Sequence, residues 1–221
     1  MSYRKIVDDL MALEDLLSDG LDFDAIIFDC DGTLVEVSNS QYLTVKLMPC
    51  IILERLYGVE LRPGKEFDDA ISLLKMLGGF NNVRDIALTL TYWIFVDLPS
   101  IKRVREDLGR INLDEYVASI TEDYTKPSYV RESLKMLVNW GLSKLGEYVS
   151  RAKLLALIEN RAKALGREGE LKALRLKLGP RSPHGAGVFP TLFEEVYFGS
   201  DEIRRRYGVE PRYVNVPGLV K

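Results

Sequence analysis

Apolar residues at Ile6, Val7, Leu10, Leu13, Leu16 and Leu17 recur at three- and four-residue intervals, which predicts a helix over 3–17 with Gly20 as its stop. The pattern then changes. Ala25-Ile26-Ile27-Phe28 is a short unbroken apolar run ending on Asp29, and it predicts a buried parallel strand. Ser38 or Asn39 can cap a helix running through Tyr57, with Gly58 beyond its end. Further helices are predicted over 67–77, closed by Gly78-Gly79, and over 83–96, before the break at Pro99. From 113 to 178 the spacing is helical almost throughout, with weak breaks near Lys126-Pro127 and at Gly141. Leucines and alanines interleave with Lys, Arg and Glu over 144–178, a pattern of ordinary helix packing more than of a coiled coil. Residues 179–190 hold three prolines and three glycines and predict a loop. Residues 191–207 predict a last helix, and 211–221 an extended end.

One strand and a large helical body make an unbalanced inventory. A lone parallel strand leaves its backbone donors and acceptors without neighbours. The expectation is therefore an α/β protein of which this chain carries the beginning. It divides into a core start at 1–37, a helical region at 38–190, and a linker at 191–221 that returns toward a core encoded elsewhere.

Composition narrows the setting. The chain has 221 residues, 47% hydrophobic and 29% charged, with a formal charge of −3, so it is globular and has no basic field for nucleic acid or an anionic membrane. The arginine-rich stretches at 161–175 and 204–206 read as solvated helix faces. Cys30 and Cys50 make no disulfide framework. Asp8, Asp9, Glu14 and Asp15 interrupt the first segment, which excludes a signal peptide. No apolar run reaches the roughly 18 residues of a spanning helix. A soluble cytoplasmic protein is expected. Trp93 and Trp140 fall on apolar helix faces and are predicted core.

The chemistry concentrates at Phe28-Asp29-Cys30-Asp31-Gly32-Thr33-Leu34, where an apolar strand ends on one carboxylate, with a second two residues on and a glycine turn after it. The carboxyl end of a parallel strand is where an open α/β sheet binds its ligand. A carboxylate there can attack phosphorus, and a second can protonate the leaving oxygen and then take a proton from water. Two carboxylates beside a phosphate call for a hard cation, Mg²⁺ above all. A plain Asp-Gly surface turn is the alternative, since such turns are common. Cys30, between two aspartates, is a poor nucleophile because their charge raises its thiol pKa.

This segment resembles the first motif of the haloacid dehalogenase (HAD) superfamily. The resemblance implies a Rossmann-like core, Asp29 as nucleophile and Asp31 as general acid/base. It implies Mg²⁺ held by the Asp29 carboxylate and the Asp31 backbone carbonyl, and Gly32 and Thr33 in the turn that holds the phosphoryl group. The presence of Asp31 favours phosphatase over dehalogenase chemistry. Leu77-Gly78-Gly79-Phe80-Asn81-Asn82 is similar to the cap segment of a HAD subfamily IA group, which implies that Asn81 and Asn82 approach a small phosphorylated metabolite; a helix C-cap followed by a polar turn is the plainer reading.

The resemblance also calls for a Ser/Thr at a second strand end, a lysine that neutralises phosphoryl charge, and further carboxylates. Lys126-Pro127-Ser128 and Gly199-Ser200-Asp201-Glu202 mimic two of these, but no apolar strand precedes Lys126, and Asp201 is expected inside an amphipathic helix. The expected function is thus a Mg²⁺-dependent HAD-like phosphatase acting through an aspartyl-phosphate. Its missing groups would come from a separately encoded C-terminal HAD half. The alternative is a non-catalytic helical interaction module or a degenerate fragment. His184 is the single histidine, so it cannot build a His-based zinc site and is expected to be a solvated loop residue.

Overall fold

The computed structural model describes residues 3–7, 10–13, 38–99, 104–121 and 123–219. The chain forms two compact units, residues 1–36 and 37–221. In the first, strands β1 (Tyr3–Val7) and β2 (Leu10–Leu13) pair antiparallel, Tyr3 opposite Leu13 and Val7 opposite Leu10, with an irregularity between Lys5 and Val7. This overturns the helix expected over 3–17. Tyr3, Ile6 and Val7 are strand-favouring types, and short apolar runs satisfy helical and extended spacing equally well. The strand expected at 25–28 lies outside the described residues.

The second unit is helical. After a π-helical turn at Ser38–Tyr42 come α1 (Leu43–Tyr57), α2 (Lys65–Met76), α3 (Val83–Val96), α4 (Leu113–Ala118) and α5 (Ser128–Leu142). They are followed by α6 (Arg151–Ala164), α7 (Glu168–Leu178), α8 (Val188–Phe198) and α9 (Ser200–Tyr207). No helix among the described residues is long and apolar enough to cross a membrane. The long pattern over 113–178 resolves into α4 to α7. Gly199 splits the helix expected over 191–207: its φ is 78°, and a Cβ there would stand 1.9 Å from the Gly218 nitrogen.

Helix α3 organises the body. All twelve residues from Asp85 to Val96 are buried, and α1, α5, α6 and α7 pack around it. Such a helix has no solvated face, which is the pattern of a helix at the centre of a core. Helix α2 shows the contrasting amphipathic pattern, burying Phe67, Ala70, Ile71 and Leu74 against the layer it shares with α5. Trp93 is buried and its indole N–H donates to the Ser133 carbonyl at 2.8 Å, while Trp140 is half-buried against the same core.

The expected α/β, Rossmann-like core is corrected by this arrangement. Among the described residues the named strands form just one antiparallel pair, and the body is a helical assembly with its own continuous apolar core. Repeated strand–helix units are what build a parallel sheet. After residue 38 the apolar periodicity is helical throughout, so the buried surfaces meet helix to helix.

The carbonyls of a buried last turn cannot rely on water for partners. At the C-terminal end of α3, one Arg167 nitrogen donates to the carbonyls of Phe95, Val96 and Leu98 at 3.2, 3.1 and 2.5 Å. The guanidinium also lies 5.4 Å from the Phe95 ring centre. Asp97 follows, taking Arg161 Nε at 2.6 Å and the Ser133 hydroxyl at 2.5 Å. Replacing Arg167 with Ala takes the shared donor from three carbonyls at a largely buried helix end and should cost roughly 1–3 kcal/mol. Arg167→Lys, which keeps the charge and loses the planar fork, should recover part of that loss. Urea unfolding at neutral pH measures both, and an Arg167→Ala midpoint equal to the parent's would refute the role.

Candidate functional site

Asp29, Asp31, Gly32 and Thr33, the catalytic, metal-binding and phosphoryl-holding residues that the sequence singles out, lie outside the described residues. Asn81 and Asn82 are described, exposed on the turn that leads into α3. Asn82 serves the fold, because its side-chain oxygen accepts the Arg84 backbone N–H at 2.9 Å and so caps α3. The glycines before it serve a close approach. A Cβ on Gly79 would lie 2.2 Å from the Val149 carbonyl oxygen, and Val149 N–H donates to the Leu77 carbonyl at 3.0 Å. The Gly78-Gly79 pair lets the chain entering α6 run against this turn.

The first turn of α3 then reaches in two directions. Arg84 pairs with Glu194 of α8 at 2.7 Å, and the Tyr207 hydroxyl donates to the other Glu194 oxygen. That hydrogen bond raises the Tyr207 pKa above the ordinary phenol value. Asp85, its side chain 7% exposed, is held between Arg151 at 3.0 Å and Arg181 at 2.6 Å. A carboxylate in a first helical turn also gains from the helix dipole. One residue after Glu194, Glu195 is fully buried. Its carboxylate accepts the backbone N–H groups of Arg212 at 2.7 Å, Tyr213 at 2.7 Å and Val214 at 2.9 Å. These bonds fasten the chain after α9 onto α8.

His184 departs from the solvated loop residue expected. Its side chain is 9% exposed, its ring stacks on Tyr207 at 4.6 Å and 7°, and Nε2 lies 3.8 Å from Glu195. No hydrogen bond to that Nε2 is formed among the described residues.

Beyond Asp85 a cleft of about 580 Å³ opens along α3. Three helical stripes line it. Leu88 and Tyr92 come from α3, Arg151, Leu155 and Glu159 from α6, and Leu171, Lys172 and Arg175 from α7, each set at helical spacing. Leu88, Leu171 and Tyr92 are nearly buried and form an apolar floor, while the charged groups stand at the rim.

Among the described residues no group of three or more His, Cys, Asp or Glu could hold a metal ion, so the Mg²⁺ expectation rests on Asp29 and Asp31. Lys126 pairs through its backbone with Arg62, at 2.9 and 3.0 Å. Asp201, expected inside a helix, stands in the first turn of α9 with its side chain 92% exposed, paired with Arg204. Neither occupies the end of a sheet strand. Comparison with protein-family models, with curated proteins and with solved structures finds no match.

Sequence reasoning does not single out the pairs around α3, although it holds one signal of them. Glu194 and Glu195 interrupt the apolar run Phe189 to Phe198, and acids in such a run imply buried partners. Glu195→Ala leaves three backbone donors unpaired and should destabilise the chain by roughly 3 kcal/mol or more. Hydrogen exchange gives the sharper readout: the amides of residues 212, 213 and 214 should lose protection in the variant. Parent-like protection there would show that Glu195 does not hold this segment.

Proposed function

We propose that the chain is a cytoplasmic HAD-type phosphoric monoester hydrolase acting on a small phosphorylated metabolite, with Asp29 as nucleophile. The observation that carries this reading is the sequence Ile26-Ile27-Phe28-Asp29-Cys30-Asp31-Gly32-Thr33-Leu34. An Asp29 carboxylate oxygen attacks phosphorus while Asp31 donates its proton to the departing ester oxygen, giving an aspartyl-phosphate. Asp31 then takes a proton from water, which attacks the phosphorus and releases inorganic phosphate as Asp29 is regenerated. Mg²⁺ bound at Asp29 and Asp31 would offset the repulsion between carboxylates and phosphate. The reading includes a second polypeptide supplying the charge-neutralising lysine and further carboxylates, which have no counterpart at family spacing here.

A second reading, a helical binding module, is supported by a different observation: from 43 onward the helices enclose a continuous core, with no sheet among the described residues. One experiment separates the two. The purified chain, alone and co-produced with the polypeptide translated from the DNA directly downstream, is assayed with p-nitrophenyl phosphate and Mg²⁺. Hydrolysis that is lost with EDTA and falls at least about a thousandfold in Asp29→Asn is the expected result. Hydrolysis in neither arm sinks the enzyme reading.

A further inference from the structure

The cleft beside α3 has a physical character of its own, independent of the aspartate motif. Its volume of about 580 Å³ lies in the range of small-molecule sites. The floor of Leu88, Tyr92 and Leu171 is apolar, and Leu155 extends it up one wall. Around it stand four cationic side chains, Arg151, Lys172, Arg175 and Arg181, against two carboxylates, Glu159 and Glu168.

Their charges are satisfied unequally. Asp85 takes one nitrogen from each of Arg151 and Arg181, and Glu159 pairs with Arg175. The planar guanidinium carries five N–H donors, so each of these arginines keeps donors beyond its ion pair. Lys172 forms no ion pair among the described residues, although its ammonium stands at the rim. Tyr92 is 4% exposed, and its hydroxyl makes no hydrogen bond among the described residues. The ring is buried while the hydroxyl opens on the cleft, where it is free to donate to a bound group. Burial raises the Tyr92 pKa to about 12, so near neutral pH the phenol keeps its proton and can donate.

We propose that this cleft binds a small organic anion, an apolar body seated on Leu88, Leu155 and Leu171 with an oxyanion head received by Lys172 and the Tyr92 hydroxyl. Arg151 and Arg181, fixed by Asp85, supply the surrounding positive field. The apolar stripe excludes a bare inorganic ion as the preferred ligand, since it would leave that floor without contact. The cationic groups at the rim favour an anionic head over a neutral group of the same shape.

The test uses the full chain and the fluorescent aromatic sulfonate 8-anilinonaphthalene-1-sulfonate as probe. It should bind with one-to-one stoichiometry. Phenyl phosphate or phenylacetate should displace it, and whichever displaces at lower concentration identifies the head as phosphate or carboxylate. Benzyl alcohol, which offers the same ring without charge, should displace at least about tenfold less well. The double variant Tyr92→Phe/Lys172→Glu alters one hydroxyl and one exposed ammonium. It should keep the parent's circular dichroism and melting temperature and bind the probe at least about tenfold more weakly. Equal displacement by benzyl alcohol, parent-like affinity in a folded double variant, or a titration that requires more than one probe site per chain would each overturn the proposal.

Discussion

The central constraint is the burial of α3 on every side. An apolar helix packed against α1, α5, α6 and α7 gains from the surface it removes from water, but its last turn is buried and its terminal carbonyls need partners. Its C-terminal end is therefore completed by side chains that arrive from distant sequence. Arg167, at the start of α7, covers the C-terminal carbonyls, and Arg161 of α6 neutralises Asp97 beside them. Asp97 stands at the negative end of the helix dipole, which makes its arginine and serine partners necessary rather than incidental. At the opposite end Asn82 caps the backbone while Arg84 and Asp85 reach outward. The connections that satisfy α3 are also the ones that place α6, the 179–187 loop and α8 around it.

The two glutamates of α8 differ in what they hold. Glu194 faces the first turn of α3 and joins Arg84 to Tyr207, so α3, α8 and α9 meet at one carboxylate. Glu195 faces the segment after α9 and accepts three successive backbone amides. A charge buried without partners would be very costly, but an array of backbone donors can stabilise it without a counter-ion. His184 adds an aromatic lid over Tyr207 beside the same carboxylate. These contacts explain why residues 209–219, which form no helix, still lie against the helical body.

How much of this is legible in the sequence depends on the range of the interactions. Helices α1, α2 and α3 are legible because spacing, caps and stops are local: Gly58 ends the first, and Asn82 and Pro99 bracket the third. The hairpin near the N-terminus is misread because Ile6, Val7, Leu10 and Leu13 fit two periods, and the choice between them lies in a pairing partner. The fold class is misread for a different reason. One apolar tetrapeptide at 25–28 carries the weight of a sheet in that reading, while the actual core comes from helix faces that spacing alone does not match to one another. The site residues divide the same way. Asp29 and Asp31 announce themselves through a contiguous motif, whereas Asp85, Arg151 and Arg181 meet across long separations and leave no local signature.

This difference also separates what the two parts of the chain can do. Attack by an aspartate needs several charges placed around one phosphorus atom, and a motif supplies them only when its surroundings complete the set. Binding in a cleft needs apolar surface and a few free donors, and α3, α6 and α7 supply those from a single helical body. The same ion pairs serve both structure and recognition there. Asp85 draws Arg151 and Arg181 to the first turn of α3, which closes the fold at that end and fixes two guanidinium groups at the mouth of the cleft. Substitutions at Asp85 would therefore disturb stability and ligand affinity together, whereas Lys172, exposed and without an ion-pair partner among the described residues, can report on affinity alone.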